Sequence, residues 1–245
     1  MNATALFTSS IGKKFVMAFS GLVLFGFVLG HMVGNLQVFL GPEALNRYGA
    51  FLHGIGELLW LVRFFLLAMV VLHIWSAAAL TRENRAARPQ PYAHQELVAA
   101  SYASRTMIWS GIIIASFIVY HLMHFTLDVA AINGVPGKGH DFTGLMDDHV
   151  PPRHDVYAMV LLGFRNPWVC CFYALAMILL CLHLGHGVSA MFQSLGLKNP
   201  AWAPLIDLFA RSISWIICLG YLSIPISIFV FKLGEPYLQS RGYLP

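Results

Sequence analysis

What this chain lacks most is charge. Of its 245 residues only 11% are Asp, Glu, Lys or Arg, while 58% are hydrophobic and the mean hydropathy is +0.69. A soluble domain carries about 25% charged residues, so lipid must be the solvent for much of this chain. The basic excess is also small: the net charge is +4, spread along the chain without a basic stripe, which excludes a nucleic-acid partner. Cysteine is scarce. Cys170, Cys171, Cys181 and Cys218 all lie in apolar runs, and neither CxxC nor CxxCH occurs, so the common redox and covalent-attachment motifs are ruled out. The four read as small buried apolar side chains. No internal repeat and no low-complexity tract stands out.

Long apolar runs are what the chain has instead. Crossing a bilayer takes roughly 20 apolar residues per helix, and five runs qualify: about 15–36, 58–80, 106–127, 168–192 and 212–232. The expected fold is an all-α integral membrane protein, one five-helix transmembrane bundle spanning residues 1–245. Lys13 and Lys14 precede the first run as in a signal peptide, but the run is too long for one and no cleavage site follows it. It reads as an uncleaved span. Pro225 should kink the fifth span, with neighbouring helices satisfying the freed carbonyl.

Orientation follows from Lys and Arg in the short loops. With the N-terminus inside, the inner segments hold Lys13, Lys14, Arg82, Arg85, Arg88, Arg105, Lys198 and Arg211. The outer ones hold Arg47, Lys138, Arg153, Arg165, Lys232 and Arg241. The run from Arg82 to Arg88 directly flanks the second span and favours this direction.

Ionisable residues inside a membrane are costly and point to function. The first four spans each carry histidine: His31; His73; His121 with His124; and His183 with His186. The fifth carries none. His31 lies 17 residues past Lys14 and His121 lies 16 past Arg105, so both sit toward the outer face at nearly equal depth. His73 lies nine residues before Arg82 and His183 ten before Gln193, so both sit closer to the inner face. The two levels differ by about seven residues, or roughly 10 Å of helix rise. Two histidines at one depth on different helices suit a six-coordinate haem, whose iron takes an imidazole on each face. Two such levels make two haems and a route for electrons across the membrane. A metal-ion transporter would want acidic partners at mid-depth, and Glu57 and Asp128 lie only at span ends. Gly26, Gly30 and Gly34 recur every four residues on the first span. They suit close helix packing or the approach of a macrocycle.

At these residues the chain resembles the single-subunit, five-helix, diheme cytochrome b anchor of succinate dehydrogenases and fumarate reductases. The resemblance covers about residues 9–232. It rests on Gly30-His31-Met32-Val33-Gly34-Asn35, Leu72-His73, Tyr120-His121 and His183-Leu184-Gly185-His186-Gly187, with Tyr48-Gly49-Ala50-Phe51-Leu52-His53 followed by Glu57. It implies a distal haem b on His31 and His121 and a proximal haem b on His73 and His183. His183 is preferred to His186 because Gly187 keeps the family's spacing, and His121 is preferred to His124 by the same alignment. His124 and His186 then stand by a haem edge or propionate. The resemblance also implies a flavoprotein and an iron–sulfur subunit docked on the inner face of a bacterial cytoplasmic membrane. The electron partner would be a quinone, usually menaquinone, near the distal haem; a higher oligomer of the complex is compatible with this. In one respect the chain departs from the family. Some fumarate reductase anchors have a glutamate two residues before the fourth-span ligand, where this chain has Cys181.

His53 and Glu57, four residues apart, would share a helix face if that stretch is helical and would give quinone a proton donor and acceptor; an ordinary polar helix entrance reads equally well. Arg63 suits a distal haem propionate or an interfacial position, and Arg105 suits a proximal propionate or an interfacial anchor. The outer loop, about Asp128 to Pro167, gathers His140, Asp141, Asp147, Asp148, His149, His154 and Asp155. Their spacing matches no metal site, and the stretch reads as a solvated loop over the distal region. Two alternatives stand beside the main reading: another bis-histidine diheme anchor of the nitrate-reductase type, and a histidine-lined transporter without haem.

Overall fold

Apolar residues on every side of a long helix are stable only in lipid or in a large core, and here they face outward. The computed structural model describes residues 3–87, 102–132 and 142–245. Its helices are α1 (Ala3–Thr8), α2 (Ser10–Asn35, continued by a 3-10 turn Leu36–Leu40), α3 (Pro42–Gly54), α4 (Glu57–Ala86), α5 (Tyr102–Phe125), α6 (Val156–Gly163), α7 (Pro167–Ser194), α8 (Ala203–Phe229) and α9 (Glu235–Ser240). Among the described residues there is no strand, only an isolated antiparallel bridge between Met146 and His154. Five helices are long and apolar enough to cross a membrane: α2, α4, α5, α7 and α8. Leu61, Phe64, Trp109 and Trp168 are 65%, 63%, 70% and 81% exposed. Such faces would be costly in water and cost nothing in hydrocarbon.

The helix ends explain where the expected spans need adjusting. Proline opens α3, α7 and α9, where its missing N–H has no partner to lose. The second span was expected to stop near Leu80, but α4 runs to Ala86, because no proline or glycine intervenes before Pro89. The fifth was expected from about residue 212, but α8 starts at Ala203. Asp207 and Arg211 lower hydropathy there without breaking the helix. α8 continues through Pro225.

The chain forms two compact units. The first comprises Met1–Leu29, Trp60–Gly111 and Leu182–Trp215; the second comprises Gly30–Leu59, Ile112–Cys181 and Ile216–Pro245. In the first unit Glu83 of α4 pairs with Lys13 of α2 and accepts from Ser10 Oγ at 2.8 Å. Lys198 donates to Asp207 at 2.7 Å and to Ser189 at 2.8 Å, tying the α7–α8 connection to both helices.

The second unit holds the largest buried core, and α6 is its centre: every residue from Tyr157 to Gly163 is buried. While residues 148–152 are exposed as expected, the part of the expected solvated loop around α6 is therefore a packed cap. Asp155 explains why. Its side chain is fully buried and accepts from Asn46 Nδ2 at 3.0 Å, from the Ala158 amide at 3.0 Å and from the Tyr237 hydroxyl at 2.8 Å. It thereby caps α6 and joins it to α3 and α9. Arg153 bridges Glu43 and Asp147, each at 2.7 Å. Asp147 and Asp155, read by sequence as part of a solvated cluster, instead hold hydrogen bonds in and around a core, while Asp148 is exposed. His140 and Asp141 lie outside the described residues.

Two outcomes follow for the cap. Asp155→Ala strands the Asn46 amide and the Tyr237 hydroxyl; each buried unmet donor costs about 1–3 kcal/mol, so amide hydrogen exchange in residues 142–163 should speed up with α7 unaffected. The second concerns acid. Burial, with His53 adding to it, holds the His154 imidazole below its ordinary 6.5, against the opposing pull of Asp128 and Asp155. A depressed folded value means the opened state binds more protons. The stabilisation is complete above about 6.5 and fades as pH falls toward the folded value. Cap exchange, corrected for intrinsic rate, should rise as pH drops below this point, and His154→Gln should flatten that rise.

Candidate functional site

In the first unit His73 of α4 faces His183 of α7, with ring centroids 6.4 Å apart and planes at 59°. Each ring is held by a serine from another helix. Ser20 Oγ of α2 lies 3.3 Å from His73 Nδ1, and Ser110 Oγ of α5 lies 3.2 Å from His183 Nδ1. Both serines are buried. Gly21 leaves room for its ring, since a Cβ there would stand 3.2 Å from His73 Cε1, whereas one on Gly111 would make ordinary contact with His183 Cε1 at 3.7 Å.

In the second unit His31 of α2 faces His121 of α5, with centroids 5.8 Å apart and planes at 81°. The Tyr173 hydroxyl of α7 lies between two imidazoles, 3.2 Å from His121 Nδ1 and 2.9 Å from His124 Nδ1. His124 is fully buried, against Phe125 at 3.9 Å and Phe142 at 5.9 Å between ring centres. His31 packs beside Tyr221 at 6.3 Å. Asn35 Nδ2 donates to the His31 carbonyl at 2.8 Å and lies 3.3 Å from His31 Nε2.

These pairs can be tested against a haem by geometry. An imidazole nitrogen sits roughly 2 Å from a bound first-row metal and the ring centre about 1 Å beyond, so rings on opposite faces of one iron have centres roughly 6 Å apart. The observed 5.8 and 6.4 Å fit. Rings sharing one axis through the metal can take any mutual angle, so 81° and 59° are both compatible. Among the described residues no cluster of three or more His, Cys, Asp or Glu is arranged to hold an ion. The glycine strip of α2 divides on the same test: a Cβ on Gly34 would meet the Tyr48 hydroxyl at 2.6 Å, whereas Gly26 and Gly30 have nothing within 4 Å. Gly34 serves close packing; Gly26 and Gly30 leave an open face.

The remaining sequence candidates are placed as follows. His53 lies in the last turn of α3 and Glu57 begins α4, with Gly56 at φ +53° between them, so they do not share one helix face. His53 stacks instead on His154, at 6.5 Å and 26°. Arg63 stands over the Trp60 ring at 4.9 Å. His186 lies one turn after His183 on α7 and is only partly buried. Cys181 is a buried free thiol. The Arg105 side chain lies outside the described residues.

Ser20, Gly21, Ser110, Gly111 and Tyr173 were not singled out by sequence reasoning. A signal was present for four of them. Ser20-Gly21 stands 11 residues before His31 (31 − 20), and Ser110-Gly111 stands 11 before His121 (121 − 110). α2 and α5 thus share a short recurrence that a search for longer repeats passes over.

The open face yields an expected outcome. Gly26→Leu and Gly30→Leu should each leave the chain folded in detergent yet strongly reduce haem content by absorbance if that face receives a macrocycle; full haem content in both variants would assign the face to lipid. Compared with family models, with curated proteins and with solved structures, this chain matches none.

Proposed function

We propose that this chain is the diheme cytochrome b anchor of a succinate:quinone oxidoreductase, carrying electrons between an iron–sulfur partner subunit and a membrane quinone. The observation that supports it most is the occurrence of two cross-helix imidazole pairs, at 5.8 and 6.4 Å between ring centres, one in each unit. His31 and His121 would hold one haem, and His73 and His183 the other. Bound there, each haem would supply reversible one-electron transfer at its iron. The protein's part is to orient the four rings, to keep water from them, and to hold the Nδ1 atoms of three of them by Ser20, Ser110 and Tyr173.

The order and spacing of the histidine motifs favour the succinate dehydrogenase and fumarate reductase anchors, with a flavoprotein and an iron–sulfur subunit on the inner face of a bacterial cytoplasmic membrane and the N-terminus inside. Dicarboxylate chemistry would then belong to the partner. The quinone, most often menaquinone in diheme anchors, would bind near His53 and Glu57. The split between α3 and α4 exposes both side chains at that end of the second unit. An anchor of the nitrate-reductase type would use the same imidazole pairs, and the soluble subunits that copurify with the chain tell the two apart.

The test is haem content per chain with a reductive titration of the absorption spectrum, in wild type, His73→Ala and His121→Ala. Two b-type haems are expected, each variant losing a different one. No haem, or one haem lost in both variants, would overturn the proposal and leave a transporter or a single-haem anchor.

A further inference from the structure

The recurrence on α2 and α5 places a hydroxyl and a gap at the same position relative to a histidine on each helix. Within the first unit both hydroxyls do the same thing. Ser20 Oγ donates to the Val16 carbonyl at 2.7 Å, with the Met17 carbonyl at 3.1 Å; Ser110 Oγ donates to the Met107 carbonyl at 3.1 Å. A serine hydroxyl has one hydrogen. With that hydrogen committed to its own helix, the oxygen facing the imidazole can only accept. In that arrangement the Nδ1 atoms of His73 and His183 carry the proton, and Nε2 keeps its lone pair.

Back-bonding to a carbonyl one turn earlier is common for serine in apolar helices and by itself signifies nothing. It explains neither the approach of both oxygens to Nδ1 of a histidine on a different helix, at 3.3 and 3.2 Å, nor the tight fit of the His73 ring against Gly21.

We infer that Ser20-Gly21 and Ser110-Gly111 are positioning elements that present Nε2 of His73 and His183 to one haem iron and set that haem's potential through the Nδ1 hydrogen bond. This rests on the diheme reading above. A hydrogen bond accepted from the far nitrogen makes a ligating imidazole more basic and fixes its orientation. The more basic ligand favours the ferric iron. The serine's own bond to the carbonyl polarises the hydroxyl and strengthens its acceptance from the ring. Each of α2 and α5 thus contributes an axial ligand to one pair and an orienting hydroxyl to the other.

The experiment is a spectroscopic redox titration of the purified, haem-loaded chain with Ser20→Ala, Ser110→Ala, the double variant, and Ser20→Thr and Ser110→Thr. The affected haem is identified as the one missing from His73→Ala. Each alanine should leave both haems bound and raise the potential of that haem alone, with the ferric-to-ferrous ratio at fixed poise falling about tenfold, or about 59 mV for one electron. The double variant should shift it further, and threonine should restore it. Loss of that one haem with the other retained carries the same meaning. Equal shifts in both haems, or no shift in either while both are bound, would overturn the inference and leave the functional reading standing. A wild-type chain without haem would overturn both.

Discussion

Hydrocarbon offers no hydrogen bonds, and every polar group in the five long helices has to find its partner within the chain. Much of the site follows from this. An imidazole has two nitrogens, and when one is bonded to a neighbouring helix the ring loses its freedom to turn. Ser20 and Ser110 each satisfy one nitrogen of a histidine on a different helix, and Tyr173 does so for His121 and His124 together. The two serine hydroxyls are satisfied in turn by carbonyls of their own helices. For His73 and His183 the ring is thereby held in a fixed direction. A polar residue that lipid would penalise is oriented because one end is tied down.

The second unit adds a dry setting to its pair. α6 lies against α5 so closely that a Cβ on Gly163 would meet Phe125 at 2.9 Å and His124 at 3.1 Å. Around His121 and His124 stand Phe117, Tyr120, Phe125 and Tyr173, all within about 6 Å between ring centres. This aromatic shell has few polar edges, and the buried Asp155 network keeps α6 seated on it. A cap built mostly of apolar helix, pinned by one buried side chain, excludes water and lowers the local dielectric, and the hydroxyl bonds beneath it count for more than they would in water.

How much was legible follows from which physical signal each feature leaves in sequence. The five spans were legible because hydropathy sums over some 20 residues, and one charge such as Asp207 shifts a boundary without hiding the helix. The pairing of His31 with His121 and of His73 with His183 was legible because helix rise converts residue number to depth. The cap was not. Asp155, Asn46 and Tyr237 lie 82 to 109 residues from one another in their hydrogen bonds, and a buried acid looks like any loop acid until its partners are in place. Ser20 and Ser110 were missed for a related reason: serine in an apolar helix usually bonds its own backbone, so its composition signal is silent about a second role.

The number of donors weighs against reading the histidines as a route for metal ions. A transported ion must shed most of its water and have it replaced by protein groups, with oxygen ligands favoured for hard cations. Each pair here offers two imidazole nitrogens, and in the first unit each ring is backed by a serine hydroxyl. A hydroxyl so placed locks one tautomer and raises the basicity of the far nitrogen, which strengthens a lasting bond to a metal. Passage needs binding weak enough to release. A ring locked from behind on each of two helices, facing its partner across about 6 Å between centres, is built to keep what it binds. On the proposed function, an iron held in a macrocycle and asked only to change its charge by one would make use of that permanence.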